Sequence, residues 1–221
     1  MARSTVAAGP TSLPAMAEKK PRPKDLREAC VREALAIIDT SGVEELSLRE
    51  VARRLGVSHQ APYRHFPSRD HILAEIVTRA FESFARYLDG RPRTGDPNED
   101  LAEMGRAYLR YAHEHPLQYR LMFGTPLPDP QQHPEMMEKS RHAFALLNEA
   151  LRRLPRPGDG TDPEERVLLD ALFIWSALHG FASMSSSSVA EALDLPAMLL
   201  DDATPHILMR IGLAIGKTPT T

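Results

Sequence analysis

Residues Leu48–Leu73 read LREVARRLGVSHQAPYRHFPSRDHIL, and the placing of small and apolar residues within this stretch decides the fold. Val51, Ala52 and Leu55 share one face of a helix that starts at Leu48, Gly56 ends it, and Val57 plugs the turn behind it. Two helices that cross steeply need a small residue where their backbones meet, here Ala52. They also need a residue that accepts positive φ at the bend, here Gly56. Ser47 stands at the cap position, with Glu50 three residues on completing a capping-box pattern, and Ser58 is placed to cap a second helix. The predicted unit is a helix-turn-helix. Pro62 falls in the first turns of its second helix, where the missing amide donor is expected to strain or tighten the backbone.

Outward from this unit, helical spacing of apolar residues runs from Asp25 to Ser41, Gly42 ends the helix, and Val43 with Leu46 returns the chain to the same core. This predicts a three-helix module. Ser68 caps a further helix carrying Ile72, Leu73, Ile76, Val77, Ala80, Phe81 and Phe84, long enough to leave the module and enter the rest of the chain as a mechanical link. A Gly/Pro/Arg linker over 89–97 precedes a helix bearing Leu101, Met104, Tyr108 and Ala112, ended by His115 and Pro116. A short helix spans Tyr119 to Phe123, and another runs from Met136 to Leu154. The segment Glu164 to Met184 is apolar around much of its circumference and must therefore be covered on several sides. Residues 185–196 read as a serine-rich loop with room for a helical turn, and Thr204 with Pro205 reads as the cap and start of a last helix through Ile215. The last two helices are expected to form a dimer seam. No strand is needed, so the expected class is all-α.

At 221 residues the chain has room for a small module and one ordinary core domain. The formal net charge of −3 conceals an asymmetry: residues 19–79 hold 12 Lys and Arg against 9 Asp and Glu, whereas 80–221 hold 14 against 20. The basic end carries the motif, as phosphate binding requires. Cys30 is the single cysteine, excluding an internal disulfide, and its place on the stripe of Leu26, Ala34, Ile37 and Ile38 reads as packing. No uninterrupted apolar run approaches membrane-spanning length and no secretory signal is read, so a cytoplasmic protein is expected. Residues 1–23 hold Pro10, Pro14, Pro21 and Pro23 among small and polar residues, and read as a disordered arm. With Lys19, Lys20, Arg22 and Lys24 it is either a minor-groove arm or a solubilising tail.

The run Tyr63, Arg64, His65, Phe66, Pro67, Ser68, Arg69 resembles the aromatic-x-His-Phe signature, followed by Pro-Ser-Lys or similar, of the tetracycline-repressor (TetR) family. The likeness covers about Asp25 to Tyr87. Trp175, His179 and Gly180 further resemble the Trp-His-Gly type of C-terminal domain in that family. The resemblance implies a helix-turn-helix DNA-binding domain over 24–71 and a ligand-binding and dimerisation domain over 72–221. It also implies a ligand-responsive repressor acting as a homodimer on palindromic operator DNA, with an unidentified small-molecule effector and no membrane partner. Arg49, Tyr63, His65 and Arg69 match positions that touch phosphates or nearby bases in the family. His59, Gln60, Ala61 and Arg64 suit base edges. Ser47 and Ser58 complete the candidate DNA-binding set.

Trp175 and His179 share a helix face, and with Tyr108, Met122, Phe123 and Phe144 they are the candidate ligand-binding residues, although core packing explains each of them equally well. No metal or other cofactor is expected: His113 and His115 point different ways on their helix. No phosphate-cradling glycine loop, nucleophile elbow or supported acid pair suggests an enzyme. The alternative reading is an all-α small-molecule-binding or protein-interaction module that does not read DNA specifically.

Overall fold

The start of the fold is set by its caps. The computed structural model describes residues 25–155, 162–186, 192–194 and 196–216; residues 1–24, with Lys19, Lys20, Arg22 and Lys24 of the expected arm, and Ser187 and Ser188 lie outside the described residues. Asp25 accepts a hydrogen bond from the Glu28 amide and opens α1, Leu26–Ser41. Gly42, at φ 92°, ends it, and a Cβ there would lie 2.9 Å from Glu44 Oε2. A 3-10 turn, Val43–Glu45, leads to α2, Leu48–Leu55.

The Ser47 hydroxyl caps α2 by accepting from the Glu50 amide, but only half of the expected capping box forms. The Glu50 carboxylate turns instead to Arg53 and Arg54, whose guanidinium donors hold its pKa down at about 2. At the far end Gly56 takes φ 67°, its amide donates to the Arg53 carbonyl, and the Val57 amide donates to Ala52. This is the glycine-terminated pattern that satisfies orphan carbonyls at a helix end.

The expected second helix is replaced by a tighter path. Ser58 is exposed and opens a series of turns rather than a helix. Pro62 has no amide to give to the Ser58 carbonyl, so the Ala61 amide takes it at 2.9 Å, one residue earlier than an α-helix would. A single 3-10 turn, Pro62–Arg64, follows, with the His65 and Phe66 amides both on the Pro62 carbonyl. Pro62 and Phe66 are buried, so the same residue that breaks the helix also anchors the segment against the core.

Ser68 then caps α3, Arg69–Asp89, by accepting from the His71 amide. The helix buries a face running from Ile72 to Leu88 and packs on α1 and on later helices alike, so one connected core runs from Cys30 to Ile211. After it come α4, Pro97–Glu114; α5, Pro116–Phe123; α6, Pro134–Arg152; and α7, Pro163–Ser185. The last is α8, Ala197–Ile215. It begins well before Thr204, and Pro205 lies inside it rather than at its start; the proline only removes one intrahelical donor there. Gly105 lets α4 and α8 touch, because a Cβ at that position would clash with Leu208 Cδ2. No strand occurs among the described residues.

Cys30 is fully buried, and burial pushes its thiol pKa up, in keeping with packing. By length and composition α7 is apolar enough to cross a membrane, yet it packs on α4, α6 and α8, and its remaining apolar surface lies in two adjoining strips described below.

Ala52 is 1% exposed. Ala52→Leu is expected to overpack its surroundings and destabilise the protein by roughly 1–3 kcal/mol, checked by urea unfolding against the parent chain.

Candidate DNA-binding face and ligand cavity

The arginines of the N-terminal module divide into two groups. Arg27 donates to Glu75 in bidentate fashion at 3.0 and 2.7 Å, and Arg79 binds Glu28 at 2.7 and 2.5 Å while also reaching Glu75 at 2.7 Å. These bonds stitch α1 to α3. Arg53 and Arg54 are occupied by Glu50, and Arg54 also lies 3.6 Å from Glu33. In contrast, Arg49 and Arg64, and Arg32 of α1, are exposed and make no hydrogen bond or ion pair among the described residues. His59, Gln60, His65 and Tyr63, 41% exposed, share that state, Ser58 is exposed beside them, and Ala61 is half-buried.

Two candidates have other work. Ser47 is the α2 cap. Arg69 donates from Nη2 to the Val43 carbonyl at 2.6 Å and from Nε to the Leu46 carbonyl at 3.1 Å, with Nη1 near Asp70. A half-buried guanidinium held in this way ties the start of α3 to the chain entering α2, which is a structural role. No residue type near Arg69 signals those carbonyls.

The second feature is a cavity of about 650 Å³ enclosed by α3, α4, α5, α6 and α7. Of the six candidates, Tyr108, Met122, Phe123, Phe144 and Trp175 line it, and their rings meet edge-on or tilted, Phe144 and Phe123 at 6.0 and 6.1 Å from Trp175. His179 does not line it. Its Nδ1 lies 2.7 Å from the Tyr119 hydroxyl, which lies 2.8 Å from that of Tyr108. The Tyr119 hydroxyl thus links Tyr108 to the imidazole, whose Nε2 faces the Ser183 hydroxyl at 3.5 Å. Burial lowers the His179 pKa and raises both tyrosines, Tyr119 to about 12, so every member is neutral near pH 7.

Several wall residues were not among the sequence candidates. Phe81, Phe84 and Leu88 of α3 and Leu168 and Leu172 of α7 are apolar positions that core packing alone would explain. Asn148 had a readable signal, a polar residue within the apolar stripe Phe144, Leu147 and Leu151 of α6. Its Oδ1 is buried without a hydrogen-bond partner among the described residues, in a lining that also includes Ser140 and Arg141.

The module thus carries unpaired donors on exposed residues of α2 and of the turns that follow it, and one helix, α3, joins it to a walled apolar cavity, an arrangement that suits a DNA-binding transcriptional regulator. The comparisons agree: residues 31–76 match the tetR family of bacterial regulatory proteins, and residues 101–195 match the tetracyclin repressor-like C-terminal domain. The HTH-type transcriptional regulator Rv0681 of Mycobacterium tuberculosis is 30% identical over 182 residues, 81% of this chain and 79% of the relative. The repressor KstR of Rhodococcus jostii is 37% identical over 81 residues, 37% of this chain and 36% of its own. Among solved structures, the TetR family regulator PfmR from Thermus thermophilus shares 25% identity at a TM-score of 0.55, covering 70% of this chain and 84% of its own. The chain belongs to the TetR family of transcriptional regulators.

Arg69→Gln is expected to destabilise the protein by about 1–3 kcal/mol because two carbonyls lose a charged donor, whereas Arg64→Gln leaves stability unchanged; thermal melts of both variants check this. His179 has a folded pKa below its unfolded value of 6.5, so the unfolded chain binds the proton more readily and stability is lost as pH falls through about 6.5. The drop in melting temperature between pH 7.5 and 5.5 is therefore expected to be smaller in His179→Gln than in the parent.

Proposed function

We propose that this regulator is a ligand-responsive repressor that binds a partly palindromic operator as a homodimer. The observation that carries the reading is that Arg49 and Arg64, in and after α2, are exposed and unpaired among the described residues, as Arg32 of α1 also is, whereas Arg27, Arg53, Arg54 and Arg79 are neutralised by Glu28, Glu50 and Glu75. Unpaired guanidinium groups beside Tyr63, His59, Gln60 and His65 suit phosphates and base edges. Arg49, Tyr63 and His65 act on the backbone; His59, Gln60, Ala61 and Arg64 face bases; Ser47 and Ser58 offer hydroxyls at the edge of the same surface. Arg69 positions the module. Such a protein works beside the chromosome, in the cytoplasm.

One short turn reads few base pairs, and a second copy at about 34–36 Å reads the next major groove on the same face. The fold supplies a surface for that copy. Leu169, Phe173 and Met184 of α7 and Met209 and Leu213 of α8 are each about half exposed, an apolar face too large to leave in water. Leu168 and Leu172, also half exposed, lie next to it and line the cavity, so an occupant presses on the seam as well as on α3. Helix α6 gives a further route: it carries Phe144 and Asn148 into the cavity, and the His133 ring preceding it stacks edge-on with His71 of α3 at 4.9 Å. A ligand that binds the arrangement with the wrong half-site spacing releases the operator.

The test is a gel-shift and salt titration with the inverted repeat flanking the gene. Arg49→Ala and Arg64→Ala are expected to weaken binding about tenfold or more with folding intact, the first reducing the salt slope by about 1 and the second relaxing sequence preference. Unchanged affinity in both variants would remove the assignment. Phe173→Glu is expected to give a folded monomer by sedimentation and to abolish tight operator binding; a stable dimer in that variant would move the seam elsewhere.

A further inference from the structure

The cavity is unevenly furnished. Its walls from α3, α5 and α7 are apolar or aromatic, and the polar groups facing it come almost wholly from one helix: Ser140, Arg141 and Asn148 of α6. Among the described residues no Asp or Glu lines it. Arg141 is exposed at the mouth and has no hydrogen bond or ion pair among the described residues; Glu138, one turn earlier, does not pair with it, and the neighbouring Lys139 is held by Glu82 at 3.2 Å. Asn148 sits two turns further along the same helix, about 10 Å deeper by the helical rise, and its Oδ1 is buried with no partner among the described residues. An orphaned buried acceptor disfavours an empty or purely hydrocarbon-filled cavity. An uncompensated guanidinium beside low-dielectric walls strengthens the pull on an anion and repels a cation.

Building on the reading of this cavity as the effector site, we propose that the effector is an apolar organic acid: a rigid or aromatic body among Phe144, Trp175 and Phe123, with its anionic group at the mouth on Arg141. The size fits, since 650 Å³ lies in the range of small-molecule sites. The aromatic lining favours a flat ring system over a branched one, and the acid at the open end keeps part of its hydration while the body is stripped of water. Asn148 Oδ1 is left to accept from a hydroxyl or amide N–H on the inner part of the molecule.

The experiment uses the full-length protein with 1-pyrenebutyrate and 1-pyrenebutanol, which share a body and differ in one carboxylate. Trp175, the sole tryptophan, reports occupancy by energy transfer to pyrene. The expected result is acid binding about tenfold tighter than alcohol at pH 7.5, with Arg141→Gln lowering the acid to the alcohol's affinity and leaving the alcohol unchanged. Leu147→Phe, which adds bulk to the wall, is expected to weaken both probes alike. Equal affinity of acid and alcohol for the parent protein, or an Arg141→Gln variant that retains the preference, would overturn the anion proposal while leaving the cavity as effector site. Tight binding of both probes that Leu147→Phe does not alter would place them outside the cavity and overturn the effector-site reading itself.

Discussion

The hold of Arg69 on the Val43 and Leu46 carbonyls is the constraint on which the rest of the molecule depends, because it fixes where α3 begins. Everything the DNA-reading module does relative to the cavity passes through that helix. Its first turns carry Ile72, Ile76 and Val77 into the core of the module, and its last turns present Phe81, Phe84 and Leu88 to the cavity. The Glu28, Arg79, Glu75 and Arg27 bonds set its rotation against α1. Exposed ion pairs contribute only about 0–1 kcal/mol each, whereas each fully buried Ile or Leu contributes about 1.5–3 kcal/mol. Packing therefore supplies the stability of the junction, and the charges define its register.

Legibility from sequence follows the range of the interactions involved. Asp25, Gly42, Ser47, Gly56 and Ser68 act on their immediate neighbours, and their caps and stops fall where the residue types predict. Pro62 is readable as a disturbance but not in its consequence, since the 3-10 turn depends on Pro62 being buried as well as lacking a donor. Pro205 reads as a helix start and is not one, because a single lost donor is a small penalty inside a helix that is packed against α4 and α7. Long-range partners are not legible at all. Nothing local to Arg69 distinguishes a phosphate ligand from a bolt to two distant carbonyls, and nothing local to His179 reveals Tyr119, sixty residues earlier. Five of the six aromatic, sulfur-bearing and imidazole candidates do face one cavity, yet their spacing alone is equally compatible with a filled core.

The Tyr108, Tyr119 and His179 chain explains how a cavity wall can carry polar atoms without weakening the fold. Each hydroxyl can both donate and accept, so Tyr108 and Tyr119 satisfy one another and Tyr119 also engages His179 Nδ1. With its hydroxyl spent in this chain, Tyr108 shows the cavity mainly its ring. The wall therefore behaves as an apolar surface despite two buried phenols, and the orphaned polar atom on the opposite side, Asn148 Oδ1, stands out against it.

Coupling between cavity and DNA face needs only modest energy. A shift of about 1–3 kcal/mol between two arrangements changes affinity by about 5- to 150-fold. The parts that would have to move are already shared: α3 contributes to both sites, and α6 reaches the start of α3 through His133 and His71. Leu168 and Leu172 border both the cavity and the exposed face of α7. Because packed helices are bistable rather than continuously deformable, an occupant of the cavity that favours a displaced α3 or α7 would shift the population between two arrangements, and on the proposed dimeric reading that would alter how two recognition turns are held relative to one another.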